Sequence, residues 1–168
     1  VSVLLALALW WQYRRKAWLQ ADVLVCPPEF VRQQYQAAGI AAAKLLVKPH
    51  YVPQQLLTSP AQQTDTPFVL FVGRAEPAKG LPFLLQIWRE VPDLPELWVA
   101  GAGAEQLAPA PGVRMLGRQD QSALSRLYQQ ASLLVVPSMV AETFGNVVIE
   151  AYAQSTPVLV ANSGALTE

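Results

Sequence analysis

The chain has 168 residues, enough for one domain with a sizeable core, and its 12 Lys plus Arg balance its 12 Asp plus Glu to a formal net charge of zero. That balance excludes a general nucleic-acid surface, which needs a clustered basic excess, and the run Arg14-Arg15-Lys16 is too short to supply one. The one cysteine, Cys26, excludes an internal disulfide framework and fits a reducing compartment; with the single His50 it cannot make a metal site.

Residues 1–11 are almost wholly apolar. As given, the stretch is shorter than the roughly 20 residues of a membrane-spanning helix and no positive residues precede it as in a signal peptide; a start at Val1 leaves a longer segment open. Continued to residue 20, it reads as a helix carrying Trp10, Trp11, Tyr13 and Trp18. These aromatics read as core, the commoner case, or as a face for peripheral contact with a membrane, with the Arg14-Arg15-Lys16 cations beside it. Residues 21–26 read as a short strand ended by Pro27-Pro28, with Cys26 a buried structural thiol. Residues 29–38 read as a helix closed by Gly39, and residues 45–48 as another strand. Pro49-His50-Tyr51-Val52-Pro53 and the Gln- and Pro-containing stretch after it form the expected linker. The division is expected between residues 1–53 and residues 54–168.

Beyond Pro67 the pattern becomes regular. Strands are expected at residues 68–72, 97–100, 113–116, 133–136 and 157–161, and helices at 81–91, 122–131 and 146–154. Short apolar strands alternating with helices give an α/β fold: a parallel, Rossmann-like sheet with helices on both faces. The chain begins with Val and stops just after the loop-like Asn162-Ser163-Gly164-Ala165, so it is expected to be a piece of a longer protein.

Chemistry concentrates in the loops after the strands. Gly73-Arg74 and Lys79-Gly80 bracket the first; two cations over a glycine-bracketed strand end suit a diphosphate, and a turn with two solvated cations is the plainer alternative. The order is not that of a P-loop. Gly101-Ala102-Gly103 follows the second strand, but a third glycine of a dinucleotide fingerprint would fall at Gln106, which argues against NAD. Arg118 and Gln119 follow the third. After the fourth comes Glu142-Thr143-Phe144-Gly145-Asn146 and, inside the next helix, Glu150. Amides around Phe144, Gly145 and Asn146 can face an anion at the helix start, and Gly145 carries no Cβ to block the approach. Taken alone, Glu142 and Glu150 also fit two solvated acids near a helix start.

Two glutamates seven residues apart with Phe-Gly between them, a Pro137-Ser138 pair before them and the Gly-Arg…Lys-Gly loop upstream resemble the retaining GT-B glycosyltransferases of family 4, also called group 1. That family includes sucrose synthases and many bacterial mannosyl- and glucosyltransferases, and the likeness runs from about Ala21 to Glu168. It implies the C-terminal, nucleotide-sugar-binding half of a GT-B fold in residues 54–168, preceded by the end of the acceptor domain in residues 1–53. It implies hexosyl transfer from a nucleoside diphosphate sugar to a sugar, lipid-linked sugar or small molecule. No cofactor and no metal are expected. The expected location is cytoplasmic, with peripheral contact at the cytoplasmic membrane face as the alternative. Arg74 and Lys79 fall on the family's diphosphate grip, and Arg118 and Gln119 near its nucleobase contacts. Glu142 would hold the sugar as the catalytic carboxylate, and Glu150 the ribose, with Gly73, Phe144, Gly145 and Asn146 completing the donor site. The chain departs from the family at Ala78, where Glu is common, at Met139-Val140-Ala141, at Gln154-Ser155, where a small residue and Gly are usual, and near the end, where Ser163-Gly164 stands for Gly-Gly. A sugar-nucleotide epimerase of the same fold and a non-catalytic binding domain are the alternatives.

Overall fold

The computed structural model describes residues 3–14, 20–53, 66–104, 107 and 110–168. They fall into two compact units, Val1–Pro49 and His50–Glu168. Arg15, Lys16 and Trp18 of the expected first helix, residues 54–65 of the expected linker, and Gln106 lie outside the described residues.

The first unit holds α1 (Val3–Arg14), β1 (Leu24–Cys26), α2 (Glu29–Ala37) and β2 (Leu45–Val47). β1 and β2 pair in parallel, Leu24 opposite Leu45 and Cys26 opposite Val47. The Cys26 thiol is fully buried, a structural sulfur. α2 stops where Gly39 turns left-handed, and the Ile40 N–H donates back to the Tyr35 carbonyl at 3.1 Å, the six-to-one bond of a glycine-terminated helix. α1 is apolar on all sides rather than striped, so no single face can take its side chains into a core. Trp10 and Trp11 are half-exposed as a result, and Arg14 sits over the Trp10 ring.

The second unit is built on β3 (Phe68–Val72), β4 (Glu96–Ala100), β5 (Val113–Gly117), β6 (Leu133–Val136) and β7 (Val158–Val160). All pair in parallel, in the order β5-β4-β3-β6-β7. α3 (Leu81–Glu90), α4 (Gln121–Gln130) and α5 (Asn146–Ala153) connect them. The central strands β3 and β6 are buried on both faces, as their unbroken apolar runs require, whereas the edge strands β5 and β7 are only half-buried and Leu159 is exposed. Phe68, Leu70, Leu134 and Val136 pack with Leu127, Tyr128 and Ala151 of α4 and α5 on one face. Val69, Phe71, Leu97, Val99 and Val135 pack with Leu81, Leu84 and Leu85 of α3 on the other. The period-two alternation of β3 is thus split between two cores. α4 starts one residue earlier than its apolar pattern suggests, because the Asp120 carboxylate accepts the Ala123 N–H at 2.8 Å and caps it.

Two backbone positions test this packing. Gly101 ends β4 against the end of β3; a Cβ placed there would lie 1.7 Å from the Gly73 carbonyl oxygen. Ser155, where the resembled family has glycine, is held in the left-handed region at φ 60°. Gly101→Ala should therefore destabilise the protein by roughly 3 kcal/mol, whereas Ser155→Gly should stabilise it by about 1 kcal/mol. Urea unfolding of both variants checks this, and equal stabilities would show that neither contact constrains the chain.

Candidate functional site

β4 and β5 lie to one side of β3, and β6 and β7 to the other, so the chain reverses its direction of travel across the sheet between β3 and β6. The loops leaving the carboxyl ends of these two strands diverge and open a crevice, the usual ligand position in such sheets. A cavity of about 290 Å³ occupies it. Gly73 and Lys79 from the β3–α3 connection line it, with Ser138, Glu142, Thr143 and Phe144 from the β6–α5 loop, Gly145 and Asn146 at the start of α5, and His50.

Glu142 is the most constrained side chain there. Its backbone carbonyl accepts the Ala165 N–H at 2.9 Å, and it bridges to Gly164 in parallel fashion. Its Oε1 accepts from Lys79 Nζ at 2.7 Å and from Ser138 Oγ at 2.5 Å. Burial raises the pKa of this carboxyl, but the hydrogen bonds from Lys79 and Ser138 and the Lys79 charge outweigh burial, so the group lies below its usual value. Both bonds end on Oε1, which leaves Oε2 for a ligand. An ammonium has three N–H donors, so Lys79 can hold Glu142 and still meet a phosphate oxygen.

Gly145 supplies the turn into α5. It takes a left-handed conformation (φ 83°, ψ 58°), which lets the chain swing from loop to helix within one residue. The first-turn amides of α5 carry the partial positive charge of a helix start, and no acidic side chain in that turn offsets it.

Six of the expected site residues meet at this cavity: Gly73, Lys79, Glu142, Phe144, Gly145 and Asn146. Arg74, Arg118, Gln119 and Glu150 do not line it. Arg74 is mostly exposed and pairs with Glu76 at 2.9 Å. Arg118 is exposed just beyond β5, and Gln119 Nε2 donates to the Leu116 carbonyl at 2.6 Å. Glu150, one turn into α5, accepts from the buried Tyr128 hydroxyl at 2.9 Å. Burial and the Glu150 charge hold that phenol far above its ordinary pKa, so it remains a donor. The α4–α5 seam is closed further by Gln129 Nε2 donating to Gln154 Oε1 at 2.8 Å and Thr156 Oγ1 donating to the Tyr128 carbonyl at 2.5 Å. Among the described residues no cluster of three His, Cys, Asp or Glu side chains converges on one point.

Sequence reasoning did not anticipate His50 or Tyr128. His50 carries no periodic signal, and its contact with Asn146 joins positions far apart in the chain. Tyr128 reads as an ordinary apolar position of α4, and only the facing helix reveals the carboxylate it serves.

The lowered pKa of Glu142 fixes the sign of one pH effect. A carboxyl with a depressed folded-state pKa adds stability above its unfolded value, near 4.3, and the gain disappears as pH falls through the folded value. Glu142→Gln should thus be less stable than wild type at neutral pH, with the gap closing in acid. Unfolding at a series of pH values measures it; a gap that stayed constant into acid would mean that pairing with Lys79 is not its origin.

Comparisons with known proteins bear on the family and the fold. The sequence profile described as glycosyl transferases group 1 matches residues 54–168. An uncharacterised glycosyltransferase of Methanocaldococcus jannaschii is 38% identical over 120 residues, covering 63% of this chain and 30% of the relative. The D-inositol 3-phosphate glycosyltransferase of Segniliparus rotundus is 39% identical over 114 residues, 58% of this chain and 25% of the relative. The chain thus spans less than a third of these relatives' length. Among solved structures, Anabaena HepE in complex with UDP and glucose superposes with a TM-score of 0.74 at 20% identity, over 87% of this chain and 46% of that one. Sucrose-phosphate synthase from Thermosynechococcus elongatus gives 0.73 at 26% identity, over 88% and 42%. With a matching profile over more than half its length and this fold beneath it, the chain belongs to the glycosyl transferases group 1 family.

Proposed function

We propose that this chain carries the donor-binding half of a retaining, family 4 glycosyltransferase that moves a hexose from a nucleoside diphosphate sugar to a sugar, lipid-linked sugar or small-molecule acceptor. The observation that carries the reading is Lys79 bonded to Glu142 at 2.7 Å beside the start of α5, in one cavity at the reversal of strand order. The arrangement offers fixed positive groups to an anion and a fixed carboxylate to hydroxyls, the two demands of a sugar diphosphate. HepE, of the same fold, was crystallised with UDP-glucose.

In transfer, the acceptor's hydroxyl oxygen bonds to the sugar's anomeric carbon as the bond from that carbon to the diphosphate breaks; negative charge grows on the leaving phosphate, which takes up the acceptor's proton. Lys79 and the amides of Gly145 and Asn146 meet that charge without having to reorganise. The Glu142 carboxylate, already oriented by Lys79 and Ser138, accepts hydrogen bonds from the sugar near the reacting carbon. Glu150 accepts from ribose hydroxyls, with its other side held by Tyr128, and Arg118 and Gln119 border the nucleobase. Arg74 lends a second cation by leaving Glu76. No metal is required where these groups supply the field. A cytoplasmic location, with the exposed apolar α1 as the surface for peripheral membrane contact, belongs to the same proposal.

Binding measurements on the intact protein separate the two cations. Lys79→Ala removes a charge-assisted contact worth roughly 1.5–3 kcal/mol and should weaken nucleoside diphosphate binding at least tenfold. Arg74→Ala removes an exposed group whose ion pair is worth about 1 kcal/mol or less and should cost only a few-fold. Plain nucleoside binding should change little in either, and equal losses would contradict the geometry.

Kinetics separate the two glutamates. Ribose hydroxyls do not change charge during transfer, so Glu150→Gln should chiefly raise the donor KM. Charge develops at the sugar, so Glu142→Gln should chiefly lower kcat. Identical signatures in the two variants would reverse the assignment of roles. Retention is read from the anomeric configuration of the product by proton NMR, and an inverted product would remove that part of the proposal.

A further inference from the structure

The side chain of Asn146 lines the cavity at the first position of α5. A carboxamide has two ends of opposite character: the oxygen only accepts and the nitrogen only donates. Asn146 Oδ1 lies 2.7 Å from His50 Nδ1. His50 is itself held against the Phe144 ring, with centroids 4.5 Å apart and planes tilted by 40°, and it too lines the cavity. With Oδ1 facing the ring, and unable to donate, the bond requires the His50 tautomer that carries its proton on Nδ1. The bond also fixes the amide. With its oxygen turned to His50, Asn146 has its N–H pair left to offer. The surroundings favour that sense, since Lys79 and the start of α5 already make this wall a donor surface, and Glu142 is turned to Lys79 and Ser138.

We propose that His50 is a positioning residue that locks the Asn146 amide with its N–H groups toward the ligand, so that this corner of the cavity selects an acceptor oxygen of the donor, on its diphosphate or its sugar. The inference rests on the donor-site reading above. His50 and Asn146 are both exposed, so replacing either leaves the core untouched.

The test is a double-mutant cycle in the intact protein, read by calorimetry with UDP, GDP and ADP and with the matching glucose nucleotide of whichever binds. His50→Ala and Asn146→Ala should each weaken binding about fivefold, the worth of one neutral hydrogen bond. The double variant should be no weaker than Asn146→Ala alone, because the two residues act as one unit. His50→Gln, whose amide N–H can replace the imidazole donor, should recover most of the loss. A loss shared by nucleoside diphosphate and sugar nucleotide assigns the oxygen to the diphosphate; one confined to the sugar nucleotide assigns it to the sugar. Losses that multiply in the double variant, or wild-type affinity in His50→Ala, overturn the positioning role while leaving the donor site standing. Failure of the wild type to bind any of these nucleotides removes the donor-site reading and this inference together.

Discussion

Val69 and Leu70 of β3 lie beside Leu133 and Leu134 of β6, although two strands and two helices separate them along the chain. That parallel pairing sets the direction of everything else. From β3 the chain winds outward one way through β4 and β5, then returns to β6 and winds the other way to β7. Only at this pair do neighbouring strands send their following loops apart, so only here can a ligand sit against strand ends and helix starts at once. The apolar residues that fill β3 and β6 on both faces are therefore the foundation of the site as well as of the core.

Charge in the cavity follows a second constraint. Lys79 and Glu142 neutralise one another, so the pair by itself attracts neither sign strongly. The bias toward anions comes from the unopposed start of α5, with Lys79 free to share its remaining donors. The Ser138 hydroxyl and the Gly164 bridge hold Glu142 from two further directions. A carboxylate fixed this way loses little entropy when a ligand arrives, and a site built from such groups is organised before binding.

The strands, the helices and the loop residues at strand ends were legible because their signals are local. Phe68–Val72 and Leu133–Val136 read as buried runs, and Gly145 as a turn into a helix. Glu142 and Lys79 stood out by the company they keep in sequence, but their mutual bond is tertiary and no spacing rule announces it. The same applies to His50 and Tyr128, each joined to its partner across the fold. Arg74 illustrates the converse. A cation beside a glycine at a strand end looks like a ligand group in sequence, and the sequence does not announce that Glu76 pairs with it in the folded chain. For α1, an all-round apolar composition marks no face for burial, and both tryptophans stand half-exposed.

The bond from Tyr128 to Glu150 has a consequence for how such a sequence can drift. If Glu150 were replaced by an apolar residue, the phenol would stay buried without an acceptor, at a cost of about 1–3 kcal/mol. If Tyr128 became phenylalanine first, Glu150 would lose only a neutral donor and could turn to solvent or ligand. The order of change is thus asymmetric: the hydroxyl can be discarded before the carboxylate, but not easily after it.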